Sequence, residues 1–190
     1  MGNFALERTT HTIRMNTIFA FSGPIGSGKS SVSKLFASKI GATWVGFGAT
    51  VKKIALERKL PTDRESLQKL GASLVKDEAE SFCSRVVVEI SDKPAVIDGL
   101  RHISILEALR DLLKPRNVKC IYVDTPLDIR LNRVKLRDGL TSEQLSKLGM
   151  HSTEIQVDHD VKSVADFVAA NRNSVEECVD SIVAWTSADS

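Results

Sequence analysis

A glycine-rich segment near the start of the chain has the residue types and spacing of a phosphate-binding loop. Gly23 is followed after four residues by Gly28, Lys29 and Ser30, which is the spacing of a P-loop. Glycines let backbone amides approach a phosphate oxygen, Lys29 adds charge for the β- and γ-phosphates, and the Ser30 hydroxyl can ligate Mg²⁺. The segment predicts binding of ATP or GTP with Mg²⁺. The predicted nucleotide-binding residues are Gly23, Gly26, Ser27, Gly28, Lys29, Ser30 and Ser31.

An acidic residue and an arginine follow the third short apolar run of the chain. The run ends at Ile97, Asp98 follows directly, and Arg101 comes three residues later. A carboxylate at the end of a buried strand can serve the Mg²⁺ side of a phosphoryl-transfer site or the acceptor side. The alternative is that Asp98 only caps the next helix. We predict that Asp98 shares the metal with Ser30 and acts in catalysis together with Lys29 and Arg101. Arg101 is also predicted to bind the acceptor.

Three arginines recur at helical spacing later in the chain. Arg130, Arg133 and Arg137 are separated by three and four residues, which places them on one face of a helix. Clustered guanidinium groups bind phosphate oxygens in a bidentate way. A solvated basic face is the alternative, and we predict the catalytic role.

A fourth group lies on a predicted helix between the first two. Arg64 and Gln68 share one stripe of that helix with Gly71, partly distinct from its apolar stripe. Such a stripe can simply face solvent. We predict that Arg64 and Gln68 bind the substrate.

Alternating strand and helix patterns place these residues in one α/β fold. Short apolar runs predict strands at 18–21, 43–47, 94–97, 120–123 and 164–168. Apolar side chains at steps of three and four predict the intervening helices. This succession implies a parallel sheet with ligand sites at the carboxyl ends of its strands. We therefore expect a three-layer P-loop NTPase fold, with about five parallel strands flanked by helices.

Several helix boundaries are predicted from capping residues. Thr62 with Glu65 forms a capping box for a long helix that runs to about residue 91, and Ser174 with Glu177 does the same for the last helix. Thr125 stands directly before a proline and is predicted to cap the helix that carries the arginine cluster.

The domain organisation follows from these patterns. Residues 1–16 lack periodicity and are predicted to be an N-terminal extension, whereas 17–188 form a single domain. Within that domain, helices at about 49–91 are expected to bind the acceptor. A polar, poorly periodic stretch at about 138–160 is expected to form a lid that closes over the phosphates.

Composition narrows the classes of function. The chain has 190 residues, a net charge of +2 and 26% charged residues, which favours neither a nucleic-acid binder nor a disordered chain. No apolar run approaches the length needed to cross a membrane. We expect a small-molecule nucleotide as partner, no nucleic acid and no membrane, a cytoplasmic location, and an oligomeric state that the sequence leaves open.

The three cysteines carry little functional information. Cys83, Cys120 and Cys178 are scattered singly in apolar surroundings. This arrangement is typical neither of a metal site nor of a disulfide framework. They are predicted to be buried small side chains.

The order of these motifs resembles the P-loop nucleoside monophosphate kinases. The first strand and the P-loop, 19–36, are similar to dephospho-CoA kinase. In that family an acidic motif after the second strand is implied to activate the acceptor hydroxyl. The matching stretch here, Val45-Gly46-Phe47-Gly48, contains no acid.

The remainder resembles the deoxynucleoside monophosphate kinases of the phage and bacterial type. The segment 64–71 is similar to their Arg-Glu-x-Leu-Gln-x-x-Gly helix, and 98–101 is similar to their Asp-x-x-Arg strand end. This chain departs from the pattern at Gly48-Ala49, where an acid is common, and at Ile105, where a glutamate often stands. The resemblance implies an enzyme that uses ATP and Mg²⁺ and acts on a nucleotide.

The chemistry of the acceptor distinguishes the two branches. A hydroxyl acceptor profits from a positioned base, whereas a monophosphate already presents an anionic oxygen and needs positive charge and alignment. The chain offers arginines and no clear base. We therefore predict transfer of the γ-phosphoryl group from ATP·Mg²⁺ to a ribo- or deoxynucleoside monophosphate. A kinase like dephospho-CoA kinase and a non-catalytic ATP-binding module are the alternatives.

Overall fold

A five-stranded parallel sheet forms the centre of the computed structural model, which describes residues 16–90, 94–138 and 157–188. The strands are β1 (Thr17–Ser22), β2 (Thr43–Gly46), β3 (Ala95–Leu100), β4 (Asn117–Asp124) and β5 (Phe167–Ala170). The helices are α1 (Lys29–Ile40), α2 (Phe47–Glu57), α3 (Arg64–Asp77), α4 (Ala79–Val87), α5 (Ile103–Leu112), α6 (Leu127–Asp138) and α7 (Val175–Ala188), with a short π-helical turn at Val157–Val161. The predicted α/β fold is confirmed. The predicted lid and N-terminal extension lie largely outside the described residues.

The sheet has the strand order β2-β3-β1-β4-β5, and every pair is parallel. Helices cover both faces because side chains alternate along each strand. Ile18 and Ala20 pack with α2, α4 and α5 on one face, and Phe19 and Phe21 pack with α1 and α7 on the other. The ring of Phe36 on α1 meets Phe19 at 5.1 Å between centroids. Both faces of the central strand are therefore in the core, as a parallel sheet requires.

Parallel pairing brings the carboxyl ends of all five strands to one edge of the sheet. β1 lies between β3 and β4, with Phe21 opposite Asp98 and opposite Ile121. The register with β3 shifts after this pair, so that Ser22 lies opposite Leu100. The Ser22 hydroxyl donates to the Leu100 carbonyl at 2.8 Å. This edge positions the glycine loop beside the segments that follow β3, β4 and β5.

Several predicted boundaries were wrong in instructive ways. The second strand ends at Gly46, and Phe47 begins α2 instead of ending the strand. The Phe47 ring packs against Phe82 at 5.1 Å. The fifth strand begins at Phe167, three residues later than predicted. The first run is buried at Val45 and Phe47 as predicted, but in β5 only Ala169 is buried, and Val164 and Val168 are exposed. The apolar runs located both segments but not where their geometry changes.

The helix predicted from 62 to about 91 is two helices. It begins after Asp63, whose carboxylate accepts from the Ser66 amide at 3.0 Å, so Asp63 is the cap and Thr62 is not. Hydrogen bonding to Ser66 lowers the pKa of Asp63. The break is at Glu78, whose carboxylate accepts two hydrogen bonds from Arg58, the residue directly after α2. After the break, α4 packs on α5.

The last helix begins as predicted, because the Glu177 amide donates to the Ser174 hydroxyl at 3.1 Å.

Among the described helices, none combines the length and apolar character of a membrane span. The described residues contain no cluster of three or more His, Cys, Asp or Glu side chains suited to a metal ion.

The prediction of buried cysteines is confirmed. Cys83, Cys120 and Cys178 are at most 1% exposed. Burial raises the pKa of Cys83 and of Cys178 to about 11. Burial, with a further contribution from the Asp166 carboxylate, raises the pKa of Cys120 to about 12.

We expect the thiols of the native chain to be unreactive at pH 8. A pKa raised by two units lowers the thiolate fraction about a hundredfold, and only the thiolate attacks a disulfide reagent. Titration with Ellman's reagent should therefore release little thionitrobenzoate from the native chain and the full amount from the three cysteines after denaturation in guanidinium. Rapid modification of one thiol without denaturation would contradict the burial described here.

Candidate active site

The loop between β1 and α1 has the backbone geometry of an anion-binding nest. Gly26 and Gly28 both have φ near +81°, in the left-handed region that glycine alone adopts at low cost. The space around the loop also requires glycine at these positions. A β-carbon at Gly26 would lie 2.6 Å from the carbonyl oxygen of Arg130, and one at Gly28 would lie 2.7 Å from Nδ2 of the Asn171 side chain. The loop therefore fits against α6 and the end of β5 only with glycine at these positions.

The loop leads directly into the amino terminus of α1. This helix starts at Lys29 and has no acidic residue in its first turn, and no described side chain caps it. Free amide groups and the helix dipole favour an anion at such a terminus. The site is therefore built to receive a phosphate group.

Ser30 and Asp98 meet across the sheet edge. The Ser30 hydroxyl donates to Asp98 Oδ2 at 2.6 Å. Asp98 is only 8% exposed, and its Oδ1 has no hydrogen-bond partner among the described residues. Hydroxyl and carboxylate oxygens are the ligands that Mg²⁺ prefers, usually with waters and substrate phosphates completing the coordination. The buried Oδ1 atom and this donor set fit such an ion.

A cavity of about 680 Å³ opens over the loop. It extends from the glycine loop to helices α3 and α4, with apolar walls that include Phe47, Val51, Val75, Phe82 and Ile105. It brings together most of the residues singled out in the sequence: Gly26, Ser27, Gly28, Lys29, Ser30, Ser31, Arg64, Gln68, Asp98, Arg101, Arg133 and Arg137.

Two predicted site residues lie beside the cavity instead of lining it. Gly23 sits at the base of the loop, where a β-carbon would lie 2.8 Å from the Val123 carbonyl oxygen. Arg130 contacts the loop through its backbone at Gly26. Of the three arginines predicted on one face of α6, Arg133 and Arg137 therefore line the cavity and Arg130 does not.

The cavity carries a strong excess of positive charge. Lys29, Arg64, Arg101, Arg133 and Arg137 line it. Among its described lining residues Asp98 is the single carboxylate. This imbalance is suited to more than one phosphate group.

The sequence did not reveal two residues that hold the loop. Thr125, after β4, donates its hydroxyl to the Ser27 carbonyl oxygen at 2.9 Å, and Asn171, after β5, donates its amide to the same atom at 2.7 Å. The helix-cap prediction for Thr125 was one residue early, because α6 begins at Leu127 and the Arg130 amide donates to the Pro126 carbonyl. A sign of both roles was available, since a polar residue follows each strand at the edge where the site forms.

The cavity wall holds a third residue that sequence reasoning missed. His102 lines the cavity next to Arg101. It precedes α5 without capping it through its side chain. Its position after β3 was the available signal.

Comparisons with known proteins agree with this geometry. The family model described as an AAA domain matches residues 20–156. A cytidylate kinase from Ignicoccus hospitalis is 30% identical over 143 residues, which cover 74% of this chain and 76% of that protein. A UPF0200 protein from Thermococcus kodakarensis is 27% identical over 170 residues, covering 84% and 91%.

A solved structure supports the fold. Shikimate kinase from Acinetobacter baumannii in complex with shikimate superposes with a TM-score of 0.61 over 92% of this chain and 94% of that one, at 18% identity. The sheet, the glycine loop and the matching family model lead to one conclusion: the chain belongs to the P-loop kinase family and is a phosphotransferase.

Proposed function

We propose that this kinase transfers the γ-phosphoryl group of ATP, with Mg²⁺, to a ribo- or deoxynucleoside monophosphate. The observation that carries the proposal is the charge of the acceptor end of the cavity. Arg64 and Arg101 line that end. The single carboxylate among the described lining residues is that of Asp98, which accepts a hydrogen bond from the Ser30 hydroxyl. Such a surface suits an acceptor that brings its own negative charge.

The donor would lie on the glycine loop. The amides of 23–28 and the ammonium group of Lys29 would hold the β- and γ-phosphates, with Ser31 in the first turn of α1. Ser30 and Asp98 would hold Mg²⁺, which neutralises charge on the phosphates when it is bound. The role of the protein in this chemistry is alignment and electrostatic stabilisation.

The acceptor would lie between the loop and helices α3 and α4. Arg64 and Arg101 would hold its phosphate in line with the donor, and Gln68 could hydrogen-bond its sugar or base. Phe47 and Phe82 supply an apolar wall of the kind that a flat nucleobase packs against. In this arrangement the arginines would contact the phosphate, the glutamine the sugar or base, and the phenylalanines the face of the base.

The described cavity wall has no acidic residue after β2 to act as a base for a hydroxyl acceptor. Gly48 lines the cavity at the position after β2 where an acidic residue would be needed. Among the described lining residues the remaining candidates are His102 and Asp98, and Asp98 is engaged by Ser30 at 2.6 Å. A monophosphate oxygen requires no deprotonation by a carboxylate, so the described lining residues suffice for it.

The arginines of α6 would stabilise the transferring group. Arg133 and Arg137 line the cavity from the side of the loop, and Arg130 stands one turn earlier on the same helix. Arginines placed there would neutralise charge that develops between the β- and γ-phosphates. The relatives named cytidylate kinases make pyrimidine monophosphates the first acceptors to examine.

A panel of acceptors tests the proposal. Purified protein is incubated with ATP and Mg²⁺ and with each ribo- and deoxynucleoside monophosphate, dephospho-CoA, shikimate or gluconate, and ADP is measured against a no-acceptor control. We expect ADP above that control with at least one nucleoside monophosphate, together with the corresponding diphosphate. ADP formed only with a hydroxyl acceptor would refute the proposal. ATP binding without product in any reaction would indicate a non-catalytic module.

Replacing Lys29 should abolish turnover without unfolding the chain. Lys29→Met removes the charge nearest the β- and γ-phosphates, and the loss of one such group costs at least about a hundredfold in kcat. The measurement is the steady-state rate, with the melting temperature as a check on folding. Lys34→Met, on an exposed turn of the same helix away from the cavity, is the matched control and should retain the wild-type rate.

Arg64 separates acceptor binding from donor binding. Arg64→Ala should raise KM for the monophosphate about tenfold or more, since a hydrogen bond to a charged group is lost. KM for ATP should stay within about a factor of two. Arg85→Ala is the control, because Arg85 pairs with Glu57 and is not among the residues lining the cavity. An unchanged acceptor KM in Arg64→Ala would remove this residue from the site.

A further inference from the structure

Three described side chains from three different segments converge on one backbone oxygen. The carbonyl oxygen of Ser27 accepts from Thr125 Oγ1 at 2.9 Å, from Asn171 Nδ2 at 2.7 Å and from Arg133 Nη1 at 3.3 Å. A carbonyl has two lone pairs, so these donors saturate it. Thr125 and Asn171 are the shorter pair, and Arg133 is the longer contact. Ser27 itself is completely buried.

Asn171 is placed for this contact by the sheet. Its side chain is completely buried, and its backbone amide donates to the Asp124 carbonyl at 2.8 Å, which continues the pairing of β4 with β5. The orientation of its amide follows from the acceptor, because the opposite orientation would place two carbonyl oxygens together. Thr125 is also buried and makes a second, longer contact with the Asn171 carbonyl at 3.3 Å.

The planarity of the peptide bond gives this contact a consequence on the other side of the loop. The Ser27–Gly28 peptide is trans, so the Ser27 carbonyl and the Gly28 N–H point in opposite directions. The carbonyl is held against the ends of β4 and β5, and both residues line the cavity. The Gly28 N–H is thereby directed away from the strand ends.

We propose that Thr125 and Asn171 are positioning residues for phosphate binding, which hold the Ser27–Gly28 peptide so that the Gly28 N–H faces a phosphate oxygen of the donor. Neither side chain lines the cavity, so each acts through the peptide. Donors on the carbonyl also polarise the peptide and strengthen its N–H as a donor. The ligand class is a di- or triphosphate, and the inference rests on the donor half of the proposed function alone.

Glycine at position 28 fits the same role. It has φ near +81°, and a β-carbon there would lie 2.7 Å from Asn171 Nδ2 and 3.2 Å from Arg133 Nη1. The donors approach so closely that the peptide has little freedom to rotate. A loop without them could turn this peptide by a flip of its plane and lose the N–H from the nest.

The test is binding of inorganic pyrophosphate with Mg²⁺ to the full-length chain, measured by calorimetry. Thr125→Val and Asn171→Ala should each raise the dissociation constant about fivefold, the effect of losing one neutral hydrogen bond, and the double variant should raise it about twentyfold or more. Thr125→Ser keeps the hydroxyl and should bind within about a factor of two of the wild type. Thr186→Val, another buried threonine that donates to a helix carbonyl far from the loop, is the matched control with the same tolerance.

A merely structural role would change the melting temperature without changing this affinity at a temperature where the variants are folded. Wild-type affinity in folded Thr125→Val and Asn171→Ala would therefore overturn the proposal. If these variants do not fold, the proposal is tested on the wild-type chain by nuclear magnetic resonance. Addition of pyrophosphate should then move the Gly28 amide proton resonance downfield by more than that of Gly41, a left-handed glycine at the far end of α1. An unshifted Gly28 resonance, or no pyrophosphate binding at all, would equally refute it.

The outcome is separable from that of the acceptor panel. A chain that binds pyrophosphate as described and phosphorylates no nucleoside monophosphate would refute the proposed function and retain the role of Thr125 and Asn171. If the chain phosphorylates a nucleoside monophosphate but the variants bind pyrophosphate normally, the proposed function is retained and the role of Thr125 and Asn171 is refuted.

Discussion

The parallel pairing of β1 with β3 on one side and with β4 on the other is the constraint on which the site depends. It brings the carboxyl ends of the strands to one edge, so that the glycine loop after β1 lies next to the residues that end or follow its neighbours. β3 contributes Asp98, the segment after β4 contributes Thr125, and the segment after β5 contributes Asn171. A change in this pairing would separate all three from the loop.

The same edge explains the charge of the cavity. Backbone amides of a loop and a helix terminus carry only partial charges, and they attract a phosphate most strongly when full charges stand nearby. Helices on both sides of the loop supply these, with Lys29 from α1, Arg64 from α3 and Arg133 from α6. The sheet is largely apolar, so the charged groups sit on the segments that surround its edge. The arrangement separates the stability of the core from the chemistry at its rim.

The acceptor end is shaped by a break that leaves two helices in place of one long helix. Glu78 separates α3 from α4 and accepts two hydrogen bonds from Arg58, which directly follows α2. Hydrogen bonding with Arg58 lowers the pKa of Glu78. α3 can then present Arg64 to the cavity while α4 places Phe82 against Phe47 in the core. The two consecutive helices thus supply both charged and apolar groups to one cavity, with Arg64 and Val75 from α3 and Phe82 from α4. The exposed ion pair itself adds little stability, and its effect is to link α2 to the turn.

The sequence by itself determined the features that depend on neighbours along the chain. The glycine loop, the helix after it and the alternation of strands with helices follow from short-range spacing, and the structure has all of them. Asp98 and Arg101 were found for the same reason, because the end of a buried strand is visible in a few residues. The ends of strands and helices were predicted less accurately, as Phe47 and Asp63 illustrate. An apolar residue can end a strand or begin a helix, and either of two adjacent polar residues can cap a helix.

Only the tertiary structure decided which distant residues meet. The Ser27 carbonyl is 98 positions from Thr125 and 144 from Asn171, and Ser30 is 68 positions from Asp98. The turn from α3 into α4 also depends on Arg58, which lies 20 positions from Glu78. The pairs at the sheet edge are set by strand order and register, and the Arg58–Glu78 pair by the packing of helices, both of which arise from the whole chain. Local patterns therefore predicted the glycine loop, whereas the hydrogen bonds that hold this loop in place depend on the assembly of distant strands.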